Sequence, residues 1–225
     1  MGVSALAQPR SGKARTIAGV LSEGGPGGGF RLLAWQVAET AGFEAAWLRL
    51  DGLALRASGQ AAGQLPEPYL LTYELRTDDR AVTTRLEVTA TLADGQRRLD
   101  LRREHGTWTV NGEVQPDLAR ALDCDLGFSP VTNTMPVIRH GLHRGPGAER
   151  FLMAWVEVPT LRVIASEQAY THLGLEPGGA RGRFTSGSYT RDLLLDGDGL
   201  VIDYPTMATR MPVPPVAATD QRPGA

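Results

Sequence analysis

The sequence has too little cysteine and lysine for several classes of reactive site. Its 225 residues include a single cysteine, Cys124, which excludes an intrachain disulfide and any zinc or iron–sulfur site built from several cysteines. The only lysine is Lys13, so Schiff-base chemistry in the folded core is excluded as well. We therefore expect neither a cofactor nor a bound metal ion.

A large net charge and long apolar runs are also missing. The 23 basic and 25 acidic residues leave a formal net charge of −2, which argues against nucleic acid as a partner held by bulk charge. No stretch approaches the roughly 18 consecutive apolar residues of a membrane-spanning helix. Residues 1–29 carry scattered charges and no apolar run of signal-peptide length. The sequence therefore predicts a cytoplasmic protein with no integral membrane segment.

Glycine and proline are concentrated near the two ends of the chain. The run Gly24–Gly29 contains five glycines and Pro26, a composition typical of a flexible segment. Three prolines, Pro212, Pro214 and Pro215, mark the other end. We predict a disordered leader over residues 1–30, one folded domain over residues 31–210 and a disordered tail over residues 211–225.

Between these ends, apolar and polar residues alternate with the period of a β-strand. From Arg85 to Leu92 every second residue is apolar, which is typical of a strand with one buried face. The dipeptide Asp94-Gly95 then suits a tight hairpin turn, and Arg98–Arg102 alternates again. Similar segments begin near residues 33, 43, 53, 69, 107, 151, 161 and 200, and Arg183–Leu195 is predicted as one further strand.

The number of strands and the scarcity of helical periodicity determine the predicted fold class. About ten strands in one chain have to curl, because a long open sheet exposes its edges. The best helical pattern follows Pro116 and spans barely a turn or two. We predict an all-β fold: a single rolled or barrel-like antiparallel sheet, with a short helical turn near residues 117–122.

Residues 121–143 interrupt the alternation. They include two prolines and a cluster of hydroxyl and amide side chains, which is typical of a structured loop that hydrogen-bonds to its own backbone. Because binding and catalytic residues are often carried by loops on a rigid scaffold, we expect the functional site in or near this segment.

A specific signature lies within this segment. It reads Asp-Cys-Asp-Leu from Asp123, Ser-Pro from Ser129 and Thr-Asn-Thr-Met-Pro from Thr132, and it ends at Arg139. The signature resembles that of the putative glycolipid-binding family of bacterial proteins, and the resemblance covers about residues 31–210. Further matches in the expected order are Trp35, Gly42, Glu44, Tyr73, Gly106-Thr107-Trp108, Gln168-Ala169-Tyr170 and Asp198–Pro205.

The resemblance implies a fold and a ligand. The family is similar to lipoprotein carriers, in which a spiral β-roll or half-open barrel surrounds a hydrophobic cavity. The main hypothesis is therefore a noncatalytic protein that binds a lipid or glycolipid-like amphiphile inside the roll, with an oligomeric state that the sequence leaves open. The predicted ligand-binding residues are Trp35, Glu44, Tyr73, Trp108, Asn133, Arg139, Gln168 and Tyr170.

Each of these residues also has a purely structural interpretation. Aromatic rings at alternate strand positions usually fill a core, whereas in a sheet too wide to be filled some of them line a pocket. Arg139, Gln168 and Asn133 suit a phosphate or sugar head group, and they equally suit the backbone of an irregular loop.

An enzyme is the alternative hypothesis. Asp123 and Asp125 face the same side of an extended chain, and with Arg139 they would suit a hydrolase acting on a small amphiphilic or glycosidic substrate. The favoured interpretation makes the carboxylates caps of the loop backbone or partners of Arg139. His140 and His143 are predicted to lie on a surface hairpin, because the nearby glycines argue against a helical metal site. A module that recruits a partner through an exposed strand edge is a third hypothesis.

Overall fold

Strands dominate the part of the chain that the structure, a computed structural model, describes, residues 29–212. Fifteen strands form one sheet that does not close on itself, and the α-helix in these residues is short, so the predicted all-β fold is confirmed. Apart from two residues at each boundary, the predicted leader and tail lie outside the described residues. None of the helices in residues 29–212 has the length and apolar composition needed to span a membrane.

The sheet consists of two meanders. The first contains β1 (Arg31–Val37), β2 (Gly42–Asp51), β3 (Ala54–Gly63), β4 (Tyr69–Thr77), β5 (Thr83–Leu92), β6 (Gly95–Glu104), β7 (Thr107–Val110) and β8 (Glu113–Val114). The second contains β9 (Asp123–Leu126), β10 (Ala148–Val156), β11 (Val163–Glu176), β12 (Gly179–Ser186), β13 (Tyr189–Asp196), β14 (Val201–Tyr204) and β15 (Ala208–Arg210). Antiparallel pairing of β1 with β15 joins the two meanders, so β8 and β9 form the two ends of the sheet.

Two features of the predicted strands are wrong. The segment Arg183–Leu195 is a hairpin, in which β12 and β13 flank a turn at Gly187 (φ +56°). The dipeptide Gly187-Ser188 is a signal of a two-residue hairpin, and it was missed because the residues on either side of it were interpreted as one strand. The pairing of β9 with β10 is parallel, because a helical crossover rather than a hairpin connects these strands.

The alternation that predicted the strands also forms the core. In β5, Leu86, Val88, Ala90 and Leu92 are buried, as the period of two predicted. Leu86 lies opposite Leu75 of β4 and Leu101 of β6, and all three are fully buried, so the apolar rows continue across neighbouring strands.

Residues 123–139, which we call the plug, form a compact and mostly buried segment instead of the predicted irregular loop. After β9 come a 3-10 turn (Pro130–Asn133) and helix α1 (Thr134–Arg139). Every residue of β9 is buried, and the hydroxyl oxygen of Thr83 on β5 accepts a hydrogen bond from the Cys124 N–H at 3.1 Å. The helix was missed because six residues are too few to show a 3.6-residue period. The other helical feature, predicted near residues 117–122, is a 3-10 turn at Pro116–Leu118.

Candidate functional site

The plug and strands β10 to β14 leave a cleft of about 320 Å³ between them. This volume lies at the lower end of the range of roughly 300–1,000 Å³ found for small-molecule sites. The cleft is lined by the plug, by strands β10 to β14, and by Glu39 and Met207 from two neighbouring turns. Its lining residues are Glu39, Asp125, Leu126, Gly127, Phe128, Ser129, Asn133, Trp155, Ser166, Gln168, Phe184, Ser186, Tyr189, Tyr204 and Met207.

One wall of the cleft is aromatic. Phe184, Tyr189 and Tyr204 lie on three consecutive strands, with ring centroids 5.8–6.4 Å apart. Phe184 also packs edge-on against Tyr170 of the neighbouring strand β11, with the centroids 5.2 Å apart. These distances are typical of favourable aromatic pairs, which hold the rings in place. The wall therefore offers a rigid apolar surface to a ligand.

The floor of the cleft is polar. The Asp125 carboxylate accepts hydrogen bonds from the Thr132 hydroxyl at 3.0 Å and from the Gln168 amide nitrogen at 2.6 Å. Asn133 donates from its amide nitrogen to the Tyr170 hydroxyl at 2.6 Å. The amide oxygens of Asn133 and Gln168 are buried and find no partner among the described residues. An unsatisfied buried polar atom costs about 1–3 kcal/mol, so a ligand that donates to these oxygens would gain affinity.

The charge on this floor is acidic and uncompensated. Burial raises the pKa of Asp125, and the hydrogen bonds from Gln168 and Thr132 oppose that rise. Among the described residues, no arginine, lysine or histidine lines the cleft. The Asp125 carboxylate is therefore held by neutral donors alone.

A second, much smaller cavity of about 10 Å³ lies beside the cleft. It offers about enough space for one water-sized group. Glu44 of β2 lines it and is 1% exposed; its Oε1 accepts hydrogen bonds from the hydroxyls of Tyr73 at 2.5 Å and of Ser129 at 2.7 Å. Its Oε2 is buried without a partner in the described residues. Burial raises the pKa of Glu44 from 4.5 to about 7, although both hydrogen bonds oppose the rise.

Gly59 makes room for this arrangement. It lies opposite Tyr73 in the pairing of β3 with β4, and a Cβ atom at Gly59 would lie 2.3 Å from the Tyr73 ring. The ring therefore crosses over the glycine, and its hydroxyl reaches Glu44. A neighbour without a side chain is what permits so close an approach of a ring to a strand.

The segment Gly127–Ser129 separates the two cavities and lines both of them. Phe128 within it has a φ of +65°, a backbone conformation that is uncommon for a residue with a side chain. Ser129 is 5% exposed and donates to Glu44, so the wall shared by the cavities is tied to the buried carboxyl.

Glu44→Gln is expected to change how stability depends on pH. Below about pH 4.5 the carboxyl is protonated in both states, whereas between about pH 4.5 and 7 it ionises only in the unfolded chain, which favours unfolding. Relative to the variant, the unsubstituted protein should lose about 3 kcal/mol of unfolding free energy as the pH rises through this interval. Urea denaturation of both proteins at pH 4.5, 5.5, 6.5 and 7.5 measures the difference, and a difference that stays constant would contradict the buried placement of this carboxyl.

The predicted site residues fall into three groups. Asn133 and Gln168 line the cleft, with Tyr170 directly behind Asn133. Glu44 and Tyr73 line the small cavity. The remaining three predicted residues, Trp35, Trp108 and Arg139, line neither cavity.

These three residues have structural partners instead. Trp35 and Trp108 are fully buried, and each indole N–H donates to a backbone carbonyl at 2.9 Å, of Val201 and Ala121 respectively. Arg139 holds the buried Asp123 carboxylate with both of its terminal nitrogens. Their geometry therefore supports a role in the fold.

The residues of the enzyme hypothesis do not converge on one cleft. Asp123 pairs with Arg139, whereas Asp125 pairs with Gln168, and only the second pair lines the cleft. The predicted surface position of His143 is wrong, because it is 4% exposed. No group of three or more histidine, cysteine, aspartate or glutamate side chains within residues 29–212 has the geometry to hold a metal ion.

Most of the aromatic wall was not predicted. Phe184 and Tyr189 lie on either side of the missed hairpin turn, so the prediction of a single strand did not bring their rings into contact. Tyr204 lies within a block that matched the family, but nothing in that block marks the ring as part of a pocket. Two serines of the cleft, Ser166 and Ser186, carry no signal beyond their position on strands.

Comparisons with known proteins agree with this architecture. The model of a family described as putative glycolipid-binding matches residues 32–210. The crystal structure of a DUF1089 family protein from Pseudomonas aeruginosa is similar, with a TM-score of 0.63 and 31% sequence identity, over 76% of this chain and 92% of that chain. No curated protein matches the chain. The family match includes both meanders and the plug.

Proposed function

The chain belongs to the putative glycolipid-binding family, and from this premise we propose that its cleft binds a lipid or glycolipid-like amphiphile without catalysing a reaction on it. The observation that carries the proposal is a pair of buried amide oxygens, of Asn133 and Gln168, on residues that line an aromatic cleft; neither oxygen has a hydrogen-bond partner among the described residues. Such oxygens accept hydrogen bonds from hydroxyl or amino groups, which sugar head groups supply.

The wall of the cleft supports the apolar half of the ligand. The rings of Phe184 and Tyr204 are buried, and the Met207 side chain beside them is flexible enough to adapt to an alkyl chain. Each methylene group that leaves water contributes about 0.8 kcal/mol to binding. Because the cleft is small, we propose that it encloses the head group and the adjoining methylene groups, while the rest of the chain extends beyond it.

Gln168→Leu is expected to weaken the binding of dodecyl glucoside about tenfold, because the variant removes a polar group from the lining of the cleft and leaves Asp125 without its amide donor. Isothermal titration with the full-length protein, below the concentration at which the detergent forms micelles, measures the change. The matched control is Gln60→Leu on the exposed face of β3, which should bind as the unsubstituted protein does.

A second experiment asks what the protein carries when it is purified. Native mass spectrometry followed by solvent extraction should recover an amphiphile in stoichiometric amount. A protein that yields no amphiphile and binds dodecyl glucoside no better than a denatured sample would contradict the proposed function.

A further inference from the structure

The two cavities share an unusual charge pattern. Three carboxylates line them: Glu39 and Asp125 in the cleft and Glu44 in the small cavity. In the part of the chain that the structure describes, no lysine, arginine or histidine lines either cavity. Two of the carboxylates are buried, Glu44 at 1% exposed and Asp125 at 9%. A buried carboxylate is ordinarily paired with a cation, because its desolvation is costly.

Nearby basic side chains are engaged elsewhere. Arg139 is held by Asp123 and by the Ala81 carbonyl. Arg191 lies over the Tyr189 ring, 4.4 Å from its centroid, and its guanidinium donates to the Thr206 hydroxyl at 3.2 Å. Neither arginine lines a cavity, so within residues 29–212 no basic side chain lines either cavity as a counter-charge.

Within residues 29–212, the buried side-chain atoms of these cavities that lack a hydrogen-bond partner are all acceptors. They are Asn133 Oδ1, Gln168 Oε1 and Glu44 Oε2, on side chains of residues that are at most 4% exposed. An acceptor is satisfied by an N–H or O–H group. The site is therefore complementary to a ligand group that both donates hydrogen bonds and carries positive charge.

We propose that the amphiphile bound in the cleft carries a primary ammonium group, which lies against the Asp125 floor beside the segment Gly127–Ser129, with Glu44 on the other side of that segment. This inference rests on the proposed function and names the chemistry of the ligand's head group. An ammonium group has three N–H donors, which suit the Asp125 carboxylate and the unpartnered amide oxygens of Asn133 and Gln168 in the cleft. The aromatic wall adds attraction, because ring faces bind cations.

Other head groups fit this lining less well. A phosphate would place negative charge beside two buried carboxylates. A quaternary ammonium group has the charge but no N–H to donate to the free oxygens. An uncharged sugar satisfies the oxygens and leaves the carboxylates without a counter-charge.

The inference also specifies a pH dependence. Glu44 is surrounded by neutral groups of the described residues: Tyr73 and Tyr69 from β4, Ser129 from the segment between the cavities, and the neighbouring Thr40. Burial raises the pKa of Glu44 to about 7, so its ionised fraction grows across neutral pH. An alkylammonium group stays charged in this range, like a lysine with a pKa of about 10.4. Its affinity should therefore rise from pH 6 to pH 8.

The test compares four probes with the same alkyl chain: dodecylammonium, dodecyltrimethylammonium, dodecyl glucoside and dodecyl phosphate. Isothermal titration of the full-length protein should show dodecylammonium binding about tenfold or more tightly than the glucoside, since a close buried charge pair is worth at least that much. The trimethylammonium probe should bind more weakly than dodecylammonium, and the phosphate probe should bind most weakly of the four.

Two variants test whether the carboxylates of Glu44 and Asp125 cause the preference for the ammonium probe over the glucoside. Glu44→Gln and Asp125→Asn should each reduce the ratio of ammonium to glucoside affinity several-fold, and Glu44→Gln should also remove the rise in ammonium affinity between pH 6 and pH 8. The control is Glu87→Gln, a carboxylate on the outer face of β5 whose side chain is 42% exposed, and it should leave the ratio unchanged.

Each outcome decides between the proposals. Glucoside binding without any preference for the ammonium probe would overturn this inference and leave the proposed function standing. A preference that neither cavity variant reduces would place the cation elsewhere and also overturn it. If no probe binds above the level of a denatured sample, both proposals fail.

Discussion

Ser166→Trp is expected to weaken the binding of dodecyl glucoside by about 100-fold or more, equivalent to at least roughly 2.7 kcal/mol. Ser166 lies on β11, and its hydroxyl is 3.5 Å from that of Ser186 on β12, with both serines lining the cleft. An indole at this position would occupy space that the ligand needs, in a cleft already at the lower size limit of ligand sites. Isothermal titration measures the loss.

The control for this variant places the same ring on the other side of the sheet. Ser58 is a half-buried serine on the outer face of β3, opposite Trp47 and Glu74, so Ser58→Trp adds an indole without touching the cleft. It should bind the glucoside as the unsubstituted protein does. A folded Ser166→Trp protein with affinity within twofold of the control would show that the ligand binds outside the cleft.

Arg139→Met should have the largest effect on stability, a loss of about 3–5 kcal/mol of unfolding free energy. Both terminal nitrogens of Arg139 bond to Asp123, which is 0% exposed, and one of them also donates to the Ala81 carbonyl at 3.0 Å. Without the guanidinium, the buried Asp123 carboxylate loses the cation that is hydrogen-bonded to it. Chemical denaturation at pH 7 measures the loss.

A second substitution distinguishes the pair from a simple packing defect. Arg139→Met combined with Asp123→Leu removes both charges and should recover at least half of the lost stability, since replacing both partners of a buried pair by apolar groups is far less costly than removing one. Because Arg139 does not line the cleft, the double variant should bind dodecyl glucoside normally. A double variant as unstable as the single one would contradict the assignment of the effect to the unpaired carboxylate.

The strands were predictable because a strand that is buried on one face alternates apolar and polar residues in the sequence. In β5 the period of two marks the inward face, and Asp94-Gly95 marks its end at the hairpin with β6. The plug shows no such periodic pattern, because every residue of β9 is buried and α1 has only six residues. An element without an exposed face shows no alternation, so its position depends on tertiary packing.

The candidate site was predictable in its polar residues, on the floor of the cleft and in the small cavity, but not in its aromatic wall. Asn133 and Gln168 were identified from their family-like blocks and lie in the cleft. Arg139 was predicted beside them, because a guanidinium suits an anionic head group as well as a buried carboxylate. Only the fold brings Asp123 within hydrogen-bond distance of Arg139, so the sequence could not decide whether Arg139 binds a head group or pairs with a buried carboxylate. The aromatic wall was missed with the hairpin that creates it.

A crystal structure of the full-length protein grown with dodecyl glucoside tests the central claim most directly. The account predicts density for the sugar at the amide oxygens of Asn133 and Gln168, with the first methylene groups along the rings of Phe184 and Tyr204. Detergent bound only to the outer surface, with the aromatic wall collapsed onto the plug and the cleft closed, would contradict it.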